Sequence, residues 1–388
     1  MRGFMSKADD FTFYDRFYKI VRATIARIIA RRFNFSGETL PQGLGPRFIL
    51  CNHNTDVDFL FLVSVSEEPM DFVATEAMMR IGPLARWAAK TFKPILHDKG
   101  SKGVSTLKGI TERIKAGRSV MLFPEGNRSF DGKTREISDA IGKIARMTGA
   151  TLVVYRLTGG YLTTPRWGRG IRKGKIRGQI ARILSADELK TMTASDVLKV
   201  IREGIYTDAY KEQETERVRF EYSDRAMYLE TLLFCCPRCK KIGTMHSRKD
   251  KLICSCGYEL TLDEYGYLSD EKNEPFSITD ACNRQKKLLE ELLEDKEKEI
   301  LWQDEVTVSK VTYDHKILDS NKSTLLACHD HLMIGEECLE KTAISSVDIV
   351  QRNRLSIHEK SRSEHYEITG PDTFNAVKYL LWYQKSYS

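Results

Sequence analysis

Phe48-Ile49-Leu50-Cys51-Asn52-His53-Asn54-Thr55-Asp56-Val57-Asp58 passes from four apolar residues into a polar segment, and a second apolar run, Phe59 to Val65, follows at once. A short unbroken apolar run suits a strand buried on both faces. Phe48–Leu50 therefore reads as a strand, and 56–66 as the helix beyond a loop. Asp71–Ala74, Lys93–Leu96, Ser119–Phe123 and Thr151–Tyr155 are further strand-like runs, with helical periodicity near 76–91, 101–116 and 136–148. This alternation predicts an α/β domain with a mostly parallel sheet.

The polar segment after the first strand carries His53 and, five residues on, Asp58. Residues five apart in one continuous helix point about 140° apart. The pair can therefore meet only if His53 stands in the loop before the helix, with Asn54 or Thr55 as the N-cap. That position, just past a strand's carboxyl end, is where open parallel sheets build their sites. An aspartate accepting from one ring nitrogen would fix the tautomer and leave the other nitrogen as a base, while Asp56 would face elsewhere on the helix. Phe123-Pro124-Glu125-Gly126-Asn127-Arg128-Ser129 follows another strand and belongs to the same sheet edge. Pro and Gly set a tight turn there, and Arg128 suits bidentate anion binding.

His-x4-Asp followed by Phe-Pro-Glu-Gly-x-Arg-Ser resembles the glycerolipid acyltransferase family, of the lysophosphatidic acid acyltransferase type, over residues 35–210. The resemblance implies transfer of a fatty acyl group from an acyl-CoA or acyl-carrier-protein thioester to a lysophospholipid hydroxyl. The acceptor expected is 1-acylglycerol-3-phosphate. It implies His53 as general base, Asp58 as its support, Gly126 and neighbouring N–H groups as oxyanion donors, Arg128 and Lys99 on the acceptor's phosphate, and Glu125 as a brace. The sequence departs from the family's pattern at Asn127, where Thr is usual, and at Lys99, where Arg is usual. It departs again at Val153–Gly160, which lacks the usual Pro.

The remaining features concern partners. With 41% hydrophobic and 30% charged residues, the chain is neither disordered nor collagen-like in composition. No apolar run approaches the ~20 residues of a membrane-spanning helix, and the first residues lack a signal-peptide pattern. A peripheral protein at the cytoplasmic face of a membrane is expected. Residues 1–230 hold 39 Lys and Arg against 27 Asp and Glu, and the remainder 22 against 27, so the basic surplus lies in the first part. Asp10–Arg32 has amphipathic helical spacing with many basic residues, which fits either a helix packed on its own domain or one lying on a membrane surface. The glycine-interleaved basic stretch Arg166–Arg177 fits either a solvated loop or a contact with lipid phosphates or the donor's phosphopantetheine arm.

Five of the nine cysteines fall between 235 and 256. Cys236-Pro-Arg-Cys239 and Cys254-Ser-Cys256-Gly257 look like the two knuckles of a zinc ribbon, whose four thiolates would hold a structural Zn²⁺. The second pair has a short spacer, and Cys235 or His246 is an alternative ligand. Residues 277–301 read as a charged connector helix. Short alternating runs from Trp302, followed by a helix over 371–384, read as a small β-barrel with a C-terminal helix, resembling a PH- or GRAM-like module. The expected organisation is an N-terminal helix (1–34), acyltransferase domain (35–230), zinc ribbon (231–270), helical connector (271–301) and β module (302–388). The competing reading is a lipid- or nucleic-acid-binding zinc-ribbon protein whose acyltransferase-like domain is inactive. It is disfavoured because it leaves His53, Asp58 and Phe123–Ser129 unexplained, and no nucleic acid is expected as partner.

Overall fold

All five apolar runs form strands. In the computed structural model, which describes residues 12–75, 92–97, 104–295, 297–312 and 316–385, they are β2 (Arg47–Cys51), β3 (Met70–Thr75), β4 (Ile95–His97), β5 (Ser119–Leu122) and β6 (Thr151–Thr158). Two further strands, β1 (Phe35–Gly37) and β7 (Ile176–Leu184), complete a sheet of order β1-β7-β6-β2-β5-β3-β4. Every adjacent pair is parallel except β6 with β7. The expected helix at 76–91 and residue Lys99 lie outside the described residues.

The chain divides into two compact units, Met1–Thr164 with Lys173–Val218, and Pro165–Arg172 with Arg219–Ser388. In the first, alternate residues of the central strands, Phe48, Leu50, Val120, Leu152 and Val154, pack in one cluster with Ile110 and Ile114, Ile141 and Ala145, and Val197 and Ile201. These come from helices Val104–Lys115, Ala140–Thr148 and Ala194–Ile205. The last two approach so closely that a Cβ at Gly142 would lie 2.3 Å from the Ala194 carbonyl oxygen, so only glycine fits there. From β2 the chain crosses past β5 to β3, and from β5 it crosses back past β2 to β6. Right-handed crossovers running in opposite directions place their helices on opposite faces, and they open a crevice at the carboxyl ends of β2 and β5.

The N-terminal helix is continuous through Thr12–Val21, a π-turn over Arg22–Ala26, and Arg27–Arg32. Its inner face docks on the sheet: Tyr18 and Val21 are buried, Tyr14 donates to the Met70 carbonyl at 2.5 Å, and Asp15 joins Asp71 in pairing with Arg118. The outer face exposes Phe13, Ile20, Ile25 and Ile28 beside Arg16, Lys19, Arg27, Arg31 and Arg32.

In the second unit, β8 (Met245–Arg248), β9 (Lys251–Cys254), β10 (Glu259–Leu262) and β11 (Leu268–Ser269) form a small antiparallel sheet, followed by helix Ile278–Glu294. Next come β12 (Trp302–Thr312), β13 (Ile317–Ala327), β14 (His331–Ile334), β15 (Glu337–Glu340), β16 (Ile344–Val350), β17 (Arg354–Glu359) and β18 (Glu364–Thr369), in an antiparallel sheet of order β15-β14-β13-β12-β18-β17-β16. The expected closed barrel is in fact an open half-barrel. Closure requires each edge strand to pair, whereas among the described residues the four-residue β15 pairs only with β14 and turns through Lys341–Ala343 into β16. Helix Val377–Gln384 packs on this sheet, with Tyr379 and Lys378 on Asp304 and the Trp382 indole donating to the Cys328 carbonyl.

The arginines of the glycine-interleaved stretch are neither all solvated nor all turned to lipid. Arg166 is buried and donates to the Gln351 and Ile349 carbonyls, and buried Arg172 donates to the Arg225 carbonyl and lies over the Trp167 ring. Carbonyl oxygens from distant parts of the unit satisfy these guanidinium groups, which is why burial is tolerated.

Candidate active site

β2 ends at Cys51 and helix Asp58–Val65 begins after six intervening residues, so His53 stands in the loop between them, as its spacing requires. Its Nδ1 lies 2.9 Å from Asp58 Oδ2. The Asp58 side chain is only 1% exposed, against 23% for His53. Asp58 also accepts from the backbone N–H groups of Asn54 (2.6 Å) and Thr55 (2.8 Å) and from the Thr55 hydroxyl (2.7 Å). These donors fix the direction of its side chain. The N-cap expectation fails: the capping position is Val57, and the Thr55 hydroxyl accepts from the Val57 N–H at 3.2 Å. Asp58, as the first helical residue, reaches back to the loop N–H groups, which leaves a side-chain cap no role.

The rest of the site comes from neighbouring strands. Asn52, fully buried, pairs with Leu157 of β6 through both amide atoms, and Asn54 also donates to the Leu157 carbonyl. The His53 loop is thereby fixed to β6. β5 delivers Phe123, whose ring stacks on the His53 imidazole with centroids 4.4 Å apart, and Glu125, whose Oε1 accepts from the His53 N–H at 2.7 Å. The other Glu125 oxygen accepts from the Arg135 N–H at 2.7 Å. Burial pushes the Glu125 carboxyl up to about 7, against the pull of these two donors. Glu125 thus sits between two loops and braces both.

Gly126 adopts φ +68°, which favours glycine, and its N–H donates to the Phe123 carbonyl at 3.2 Å. The tight turn uses the N–H assigned to the oxyanion, so the structure gives that role no support. Arg128 is held on one side by Asp56, with Nε 3.1 Å from Oδ1, and donates Nη1 to the Thr164 carbonyl at 3.1 Å. Asp56 does leave the His53 pair, as expected, but it faces this arginine, a partner that spacing along one helix did not reveal. Ser129 accepts from the Gly132 N–H and closes the loop.

In the second unit, Cys236, Cys239, Cys254 and Cys256 bring their sulfur atoms within 4.8 Å of one another. The Cys236–Cys256 and Cys239–Cys254 separations are both 3.7 Å. Four thiolates around a tetrahedral Zn²⁺ at ~2.3 Å would stand about 3.8 Å apart, so the donor set and its spacing fit zinc. Cys235 and His246 are not in this group of four. Gln285, on helix Ile278–Glu294, accepts from the Phe234 and Cys235 N–H groups and donates to the Leu232 carbonyl, anchoring the chain that leads into the first knuckle.

Residues 32–157 match the family described as Acyltransferase. A chloroplastic 1-acyl-sn-glycerol-3-phosphate acyltransferase of Arabidopsis thaliana is 29% identical over 150 residues, covering 38% of this chain and 42% of the relative. A protein of the same description from Brassica napus is 30% identical over 143 residues, covering 36% and 41%. The chain thus spans about two-fifths of the length of these curated relatives. Among solved structures, the 1-acyl-sn-glycerophosphate acyltransferase PlsC of Thermotoga maritima aligns with a TM-score of 0.43 at 21% identity, over 55% of this chain and 87% of that one. The family match over residues 32–157 lies within the first unit and includes His53, Asp58, Glu125, Gly126 and Arg128.

Proposed function

We propose that this chain is a lysophospholipid acyltransferase, moving a fatty acyl group from an acyl-CoA or acyl-carrier-protein thioester to the free hydroxyl of 1-acylglycerol-3-phosphate in phospholipid biosynthesis. The observation that carries the reading is the His53–Asp58 pair. With Nδ1 on a buried carboxylate, the neutral imidazole presents Nε2 as an acceptor at the crevice between β2 and β5. Nε2 takes the acceptor's hydroxyl proton as that oxygen attacks the thioester carbonyl carbon. The C–S bond then breaks, and the departing thiolate receives the proton back from the imidazolium. Asp58 stabilises the imidazolium without taking its proton. Glu125 fixes the height of the His53 backbone, and Arg128 serves the acceptor's phosphate. Lys99 keeps its proposed phosphate role only by resemblance. The test is thioester release by the purified chain, with CoA and carrier-protein donors, across glycerol 3-phosphate, 1-acylglycerol-3-phosphate and other lysolipids. Rapid release dependent on 1-acylglycerol-3-phosphate is the expected result, and release independent of every acceptor would overturn it.

Such an acceptor resides in a bilayer, and the outer face of the N-terminal helix suits peripheral attachment there, on the cytoplasmic side. Its exposed apolar residues enter the interface while Arg16, Lys19, Arg27, Arg31 and Arg32 meet anionic headgroups, each worth about 1 kcal/mol near such a surface. Phe13→Glu with Ile28→Glu should weaken cosedimentation with anionic vesicles by at least about tenfold. Undiminished binding would remove this helix from the role. The cysteine group is assigned a structural Zn²⁺ as a zinc ribbon. The half-barrel with its C-terminal helix is assigned as a PH- or GRAM-like module for lipid or protein.

A further inference from the structure

The pairing of Arg128 with Asp56 has no counterpart in the mechanism above. The Asp56 side chain is 81% exposed and that of Arg128 only 11%. The guanidinium is therefore the fixed member, also held by the Thr164 carbonyl, and the carboxylate the displaceable one. Asp56 occupies the short loop between His53 and its helix, while Arg128 belongs to the loop after β5, so the pair spans the two loops that frame the crevice.

A largely buried guanidinium that loses its counter-charge is costly. An exposed carboxylate that swings into water loses little. Exchange of a carboxylate for a phosphate keeps the arginine compensated throughout and offers it a better bidentate partner. A neutral headgroup cannot make this exchange.

We propose that Asp56 is a specificity-determining residue, an internal stand-in for the acceptor's phosphate that holds Arg128 until a phosphomonoester displaces it. This rests on the acyltransferase reading for its biological meaning but not for its test. Asp56 lowers the affinity for phosphorylated acceptors by competing for the same guanidinium, and in return keeps Arg128 paired and placed in the empty enzyme.

The experiment measures glycerol 3-phosphate binding by calorimetry to the 388-residue chain, its D56N and D56E variants and R128Q, with glycerol as the neutral control, and compares KM and kcat for 1-acylglycerol-3-phosphate. D56N is expected to bind glycerol 3-phosphate about two- to fivefold more tightly, the range set by an exposed ion pair. D56E should stay close to the parent, R128Q should lose the binding, and glycerol should be unaffected. KM should fall by the same factor in D56N, with kcat unchanged. Equal or weaker binding by D56N would overturn the proposal, since a residue that merely orients Arg128 gives that sign, and so would failure of all forms to bind. Tighter binding by D56N in a chain that transfers no acyl group would uphold the exchange and sink the acyltransferase reading instead.

Discussion

His53→Ala should lower the rate of acyl transfer by about 10²–10⁴-fold while the protein stays folded, because that is what a positioned general base contributes. The fold survives because Glu125 holds the backbone N–H of His53 and Asn52 holds β6, and neither contact involves the imidazole. Asp58→Asn should fall by a comparable factor. The His53 ring nitrogen and the Asn54 and Thr55 N–H groups all meet Oδ2, and the Thr55 hydroxyl alone of these four meets Oδ1, so the asparagine can keep the loop by turning its NH2 to that hydroxyl; what it loses is the negative charge that supports the imidazolium. The two residues act as a unit, so the double variant should be scarcely worse than either single one. Single-turnover thioester release, with circular dichroism as the check on folding, decides the matter; ordinary turnover by His53→Ala would remove the pair from the chemistry.

The second large effect concerns the cysteines. Protein purified without chelator should carry about one zinc per chain, and Cys239→Ser or a strong chelator should release it. Structural zinc in small domains contributes on the order of 10 kcal/mol of folding free energy at neutral pH. The segment it would stabilise here is slight, four strands of two to four residues each. Its loss should therefore expose residues 232–262 to proteolysis and disturb the anchorage of Gln285 on Leu232, Phe234 and Cys235. Clearly substoichiometric zinc in freshly purified protein would count against the assignment.

What the sequence made legible was what is local. β2 to β6 announce themselves because strands buried on both faces are uninterrupted apolar runs, and the His53–Asp58 pair because its partners lie five residues apart. β7 escaped because Arg177, Gln179 and Arg182 interrupt its apolar residues, and β1 because it is three residues long and pairs across the chain with β7. Arg166 and Arg172 read as surface charge, since nothing in their neighbourhood shows that carbonyl oxygens up to 185 residues away will satisfy them. The Asp56–Arg128 pair was invisible for a similar reason. It exists only because β5 lies beside β2, and strand order cannot be read from spacing.

The fixing of Asn52 by β6 has a temporal side. Asn52 and its partner Leu157 are 105 residues apart, and Glu125 lies 72 residues beyond the His53 N–H it holds. A ribosome adding about 5–20 residues per second takes about 5–20 s to cover the longer interval. Throughout that time the histidine loop has emerged without the strand that fixes it. The nascent chain thus carries the His53–Asp58 pair early and the strand that fixes its loop late, so the pair is aimed only once β6 has paired.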